Sequence, residues 1–212
     1  MRTPKRNAPK TIPSFAVVVD GKTELWYLQM LKRNEREIRV NIKPEIPNKK
    51  SIEEQYKLVC DLSGKEYTKV FWIIDLDVVI KENKEAKKGL KSPLKMFEEC
   101  RTELITKYPN VVVIVNNPCI EFWFLLHFVK TSKEYTASNV ERELRKHLNN
   151  YEKTEKSFTK QNDDIYLKLK PYLKTGLENA SVLGNFDKEN PTKAMCEMEL
   201  LFQSEELKKH FE

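Results

Sequence analysis

The sequence predicts an α/β fold, a mainly parallel four-stranded sheet flanked by helices and followed by a helical C-terminal part. Three observations carry this reading. From Phe15 to Phe128, short apolar runs alternate with longer segments that are apolar at helical spacing. The clearest runs, FAVVV and VVVIV, are continuous rather than alternating, as strands covered on both faces are. After Phe128 the strand signals fade, while helix-like segments continue.

Taken in order, Phe15 to Val19 is the first strand. DGKTELWYLQMLKR follows, with Leu25, Leu28 and Leu31 beside Trp26 and Met30 on one helical face. IRVNIKPEI alternates, and its Pro44 suits an edge strand, where a missing N–H costs nothing. Ser51 and Glu54 form a capping box for IEEQYKLVCDLSG, which stops at Gly64. KVFWII is the third strand. Ser92 caps the next helix, with Pro93 in its first turn. Val111 to Val115 is the fourth strand, and Asn117 and Pro118 are placed to open the helix of IEFWFLLHF. Beyond it, SNVERELRKHLNN, DDIYLKLKPYLKTGLENASVLG and PTKAMCEMELLF read as helices, the last capped by Thr192 or Asn190, and YEKTEKSFTKQN reads as a loop. The expected organisation is a flexible basic arm over 1–13, an α/β core over 14–130 and a helical C-terminal extension over 131–212, packed on the core.

Composition narrows the classes. The chain has 212 residues, 40% apolar and 33% charged, ordinary values for a soluble globular domain. No apolar run approaches the ~18 residues of a membrane span, so no membrane is expected as a partner. The N-terminus has basic residues but no apolar stretch behind them, unlike a secretory signal. Cys60, Cys100, Cys119 and Cys196 lie far apart without the spacing of a zinc site, which fits free thiols and a cytoplasmic location. Arg2, Lys5, Arg6 and Lys10 supply +4 of the formal net charge of +6, which points to a polyanion such as nucleic acid or to a solubilising tail.

The chemistry-bearing residues follow strands. Asp20 ends the first, Asp75 and Asp77 the third, and Glu121 stands just past the fourth, with Glu24 opening the first helix. In a parallel sheet of order 2-1-3-4 these positions share one edge, beside the crevice where open α/β sheets bind ligands. On an extended chain Asp75 and Asp77 point the same way. Two carboxylates about 4 Å apart repel by about 4 kcal/mol at an effective dielectric near 20. Three or more therefore call for a cation, and oxygen-only ligands favour Mg2+ or Mn2+. His127, one turn from Trp123 and Phe124, reads as a packed, hydrogen-bonded histidine. No phosphate-binding glycine loop is present.

VVVDGKTELWYL together with FWIIDLDV resembles the Toprim arrangement, an acid and glycine after the first strand and D-x-D after the third. More specifically, NNPCIEFWFLLHF, YEKTEKSF and NPTKAMCEM are similar to blocks of the RloB family, and the likeness runs from about Phe15 to Leu201. The resemblance implies a Toprim-like core, metal-dependent cleavage of DNA or RNA, a place in bacterial phage defence, and a partner ATPase. The family pattern has glutamate where this chain has Asp20, about 1.5 Å shorter.

The candidate catalytic residues are Asp20, Glu24, Asp75, Asp77 and Glu121, with Asp20, Asp75 and Asp77 as metal ligands. Lys87, Lys88 and Lys91, on the segment after D-x-D, and Lys153 and Lys156, in YEKTEK, are candidate nucleic-acid contacts. The rival reading is a non-catalytic subunit that binds nucleic acid or the ATPase, which the aspartate at position 20 favours. A receiver-like phosphoacceptor lacks a hydroxyl after the fourth strand, where Asn116 and Asn117 stand. A nucleotide-sugar transferase with a metal-binding D-x-D is the weakest alternative.

Overall fold

Successive side chains on a strand point to opposite faces, and here both faces are dry. The computed structural model describes residues 12–38, 41–47, 51–86 and 91–211. It contains β1 (Ser14–Val19), α1 (Lys22–Asn34), β2 (Asn41–Glu45), α2 (Ile52–Ser63), β3 (Lys69–Asp75), α3 (Leu76–Glu85), α4 (Pro93–Lys107), β4 (Val111–Asn117) and α5 (Ile120–Leu126). Phe15, Val17, Val19, Phe71, Ile73 and Ile114 form one face of the sheet and pack on α1, α5 and the C-terminal helices. Ala16, Val18, Val70, Trp72, Ile74 and Val113 form the other, against Val59 and Leu62 of α2, Val79 of α3 and Phe97 and Leu104 of α4. The buried indole of Trp72 keeps its polar end satisfied by donating to Gln55 Oε1 at 2.7 Å.

The sheet order is β2-β1-β3-β4-β5, the first four strands parallel. The α/β class and the order of the four expected strands are borne out, with β2 at the edge and Pro44 opposite Val17. A fifth strand is an addition. β5 (Met195–Cys196) pairs antiparallel with Asn116 and Asn117, within the PTKAMCEMELLF segment expected to be helical. Only α10 (Glu199–Phe202) of that expected helix forms, followed by α11 (Glu205–Lys208). The open edge of β4 overrides local propensity here. Buried Glu197 continues the pairing, accepting Val115 N–H at 2.9 Å and Phe186 N–H at 2.8 Å.

Ser51 and Ser92 cap α2 and α4 as expected, accepting the N–H of Glu54 and of Lys95. Asn117, in contrast, caps nothing. It is the last residue of β4, and α5 starts after Cys119. The Asn117 amide instead donates across to β5's approach, to the carbonyls of Lys193 at 2.7 Å and Thr192 at 2.8 Å. Thr192 and Asn190 thus cap no helix.

Past α5 come α6 (Ala137–Leu144), α7 (Glu155–Phe158), α8 (Ile165–Leu169), a 3-10 turn at Lys170–Tyr172 and α9 (Leu173–Ser181). The single helix expected over 163–184 is therefore broken, at Pro171, whose ring and missing N–H disfavour a helix interior. α7 is one turn inside the expected loop, capped by the Thr154 hydroxyl. These elements lie on α1 and α5. A single apolar cluster joins Phe15 to Tyr166, Leu169 and Phe202. Among the described residues no helix is long and apolar enough to cross a membrane. The basic residues Arg2, Lys5, Arg6 and Lys10 of the expected arm lie outside the described residues.

Candidate metal centre

The parallel order brings the ends of β1, β3 and β4 to one edge, and the acidic residues meet there. Asp20 follows β1, Gly21 precedes α1, and Glu24 turns back from the first turn of α1. A Cβ on Gly21 would lie 2.5 Å from Glu24 Oε2, so any larger residue there would displace this carboxylate. Asp75, the last residue of β3, completes a group in which ligand atoms of Asp20, Glu24 and Asp75 lie within 4.8 Å of one another. The shorter side chain of Asp20 does not remove it from this group.

Asp75 is shared with a second group of the same size, completed by Cys119 and Glu121. Cys119 was not anticipated from sequence. Its signal was positional, two residues before Glu121 in the β4–α5 connection, and a survey of cysteine spacings does not register a thiol among carboxylates. All four cysteines are free.

Asp77 joins neither group. α3 begins at Leu76, so D-x-D spans a strand-to-helix junction and its two side chains do not share the direction they would have on an extended chain. Half-buried Asp77 donates its backbone N–H to the Pro118 carbonyl at 3.2 Å and lines a cleft beside the acidic centre. α3 buries Leu76 and Val79 and continues through its charged residues to Glu85.

The electrostatics are those of a cluster that opposes its own ionisation. Glu24, Asp75 and Glu121 are each at most 8% exposed. Burial, then Asp20, pushes Glu24 up to about 7. Burial, then Glu24, Asp20 and Glu121, holds Asp75 well above the usual carboxylate range. Glu24 Oε2, Asp75 Oδ1 and Glu121 Oε2 are buried without a hydrogen-bond partner among the described residues. Such atoms are expensive unless something fills their lone pairs. A hard oxygen donor set with three orphaned acceptors fits Mg2+ or Mn2+.

Lys153, from the loop before α7, pairs with Glu121 at 2.5 Å. Its partial burial works against the charge, but the Glu121 carboxylate outweighs this and holds the ammonium above its ordinary range. The other candidate lysines are not at this centre in the described structure. Lys156 is exposed on α7. Lys91 is exposed and paired with Glu99, and Lys87 and Lys88 lie outside the described residues. His127 is buried, with Nδ1 against the Trp123 carbonyl at 2.9 Å and its ring edge-on to Trp123, so it packs the core as expected.

A family model described as RloB-like protein matches residues 15–204. No curated protein and no solved structure matches the chain.

Proposed function

This chain belongs to the RloB-like protein family, and from that premise we propose that it is a divalent-metal-dependent nuclease, hydrolysing phosphodiester bonds of DNA or RNA. It would act in the cytoplasm in bacterial phage defence, with a partner ATPase. The observation that carries the reading is the buried trio of Glu24, Asp75 and Glu121 with an orphaned oxygen on each, at the shared end of three parallel strands.

Asp20, Glu24 and Asp75 would hold the cation, with Glu121 and Cys119 in the second group that shares Asp75. The metal would supply Lewis-acid neutralisation of charge on the phosphate. The rest falls to the chain. Burial pushes Glu24 up to about 7 and raises Asp75 as well, so a cation held here would displace protons from these carboxylates. Lys153 brings a fixed positive charge to the same edge, against the Glu121 carboxylate that an anionic backbone would meet there. Gly21 leaves the approach to Glu24 Oε2 unobstructed by a side chain.

The test has two stages. Mn2+ at one hundred times its Kd should stabilise the protein by about 2.7 kcal/mol through linkage, read as a rise in Tm. Asp75→Asn should abolish that rise. Cleavage of labelled DNA and RNA should then require the metal and be lost in Asp75→Asn and Glu121→Gln. An unchanged melting curve in excess Mn2+ would remove the metal centre. A metal-dependent rise in Tm without cleavage of any nucleic acid, even beside the ATPase, would replace the nuclease by the binding subunit.

A further inference from the structure

The cleft beside the acidic centre has a volume of about 530 Å3, within the ~300–1,000 Å3 range of small-ligand sites. Neither the carboxylate trio nor Lys153 lines it. Its walls combine three kinds of surface. Ile80 and Pro118 are apolar, and half-buried Tyr135 adds an aromatic ring steadied by Phe122 at a centroid distance of 6.0 Å. Asn139 offers a side-chain amide with no hydrogen-bond partner among the described residues, hence both a donor and an acceptor. Lys81 and Lys84 stand one turn apart on α3, exposed and without an ion pair among the described residues. Glu134 and Asp77 at the wall prevent the cleft from being a simple anion trap.

An apolar and aromatic wall, an amide able to read a polar edge, and two adjacent cations match a base and its phosphate. The cleft is also joined to the acidic centre through both of its chain neighbours. Asp77 stands two residues after Asp75, and Asn117 and Pro118 run directly into Cys119 and Glu121. We infer that this cleft is a subsite for one unpaired nucleotide next to the phosphate under attack, the base against Pro118 and Tyr135 and its phosphate on Lys81 and Lys84. A base held in a duplex cannot enter such a pocket without being flipped out. The substrate class is therefore single-stranded or locally unpaired nucleic acid. The position next to the reacting phosphate rests on the nuclease reading; the binding itself does not.

The experiment measures binding of the full chain, in EDTA, to a labelled single-stranded oligonucleotide of about twelve nucleotides and to the matching blunt duplex. The single strand should bind at least about tenfold more tightly than the duplex. Tyr135→Ala should weaken single-strand binding by about tenfold, the loss expected for one stacked base, and Tyr135→Phe should keep most of it. Lys81→Gln with Lys84→Gln, on the exposed face of α3, should lower affinity and flatten the salt dependence by about 0.7 per charge. Equal affinity for duplex and single strand, or wild-type affinity in both Tyr135→Ala and the lysine double variant, overturns the subsite. Cleavage distinguishes the two readings. Binding that depends on Tyr135 with no cleavage removes the nuclease and keeps the subsite, whereas cleavage indifferent to Tyr135, Lys81 and Lys84 removes the subsite alone.

Discussion

At the scale of single residues, Glu24 ties stability to pH. Its carboxyl titrates near 4.5 when unperturbed and is pushed up to about 7 by burial and by Asp20. Between those values the folded chain holds a proton that the unfolded chain has released. Stability from this group is thus present at low pH and lost as pH rises through about 7, on the order of 3 kcal/mol in all. His127 acts in the opposite sense. Burial pushes it down to about 4, so the unfolded chain binds its proton first and stability falls as pH drops below about 6.5. Comparison with Glu24→Gln separates the two, because the His127 contribution is common to both proteins. Thermal melts at pH 5.5 and pH 8 should show a larger alkaline loss in wild type than in Glu24→Gln, with Mn2+ restoring the wild type at pH 8. Parallel behaviour of the two proteins would show that Glu24 carries no such penalty. Protons and metal compete for the same oxygens, so Mn2+ affinity should also weaken as pH falls below about 7.

At the scale of elements, Asn117 holds the last strand in place. Its amide donates to the carbonyls of Thr192 and Lys193, on the chain that leads into β5, while its backbone pairs with Met195. Asn117→Ala leaves those carbonyls unpaired and should cost about 1–3 kcal/mol. Asn117→Asp should cost at least as much at pH 8, because it sets a carboxylate against two carbonyl oxygens. Urea midpoints measure both, and an unchanged midpoint in Asn117→Ala would mean that β5 is held without this clamp. The same region shows where local sequence stops being informative. β1, β3 and β4 were legible because a sheet covered on both faces demands unbroken apolar runs, and Ser51 and Ser92 because a cap is a local hydrogen bond. β5 was not, since Met195 and Cys196 become a strand only by meeting the free edge of β4. α3 was obscured by its charge, having just Leu76 and Val79 buried. At the candidate site, the meeting of Asp20 and Asp75 followed from parallel strand order. The divergence of Asp77 depended on a helix beginning one residue after β3, and Cys119 on a loop whose path no periodicity encodes.

At the scale of the whole molecule, charge is sorted along the chain. Buried carboxylates occupy one sheet edge, and Lys153, Lys81 and Lys84 stand around it. Four further cations, Arg2, Lys5, Arg6 and Lys10, are concentrated in the N-terminal segment. The two ends of the chain differ in what their removal would do. The C-terminal elements share one apolar cluster with β1 and α5, through Tyr166, Leu169 and Phe202, so cutting them away would expose the core. Among the described residues, the first backbone hydrogen bond at the N-terminal end is that of the Pro13 carbonyl, which accepts Asn41 N–H at 2.9 Å. Deleting residues 1–11 leaves that bond and the apolar cluster intact, and the melting temperature should stay within a degree or two of the full chain's. If the segment grips a duplex flanking the unpaired nucleotide, its four charges contribute up to about −3.6 to the slope of log affinity against log salt, and the truncated protein should bind more weakly with a flatter slope. Cleavage at saturating substrate should persist, because none of the candidate metal ligands is touched. An identical slope with and without the segment would assign those charges to solubility and leave backbone binding to Lys81, Lys84 and Lys153.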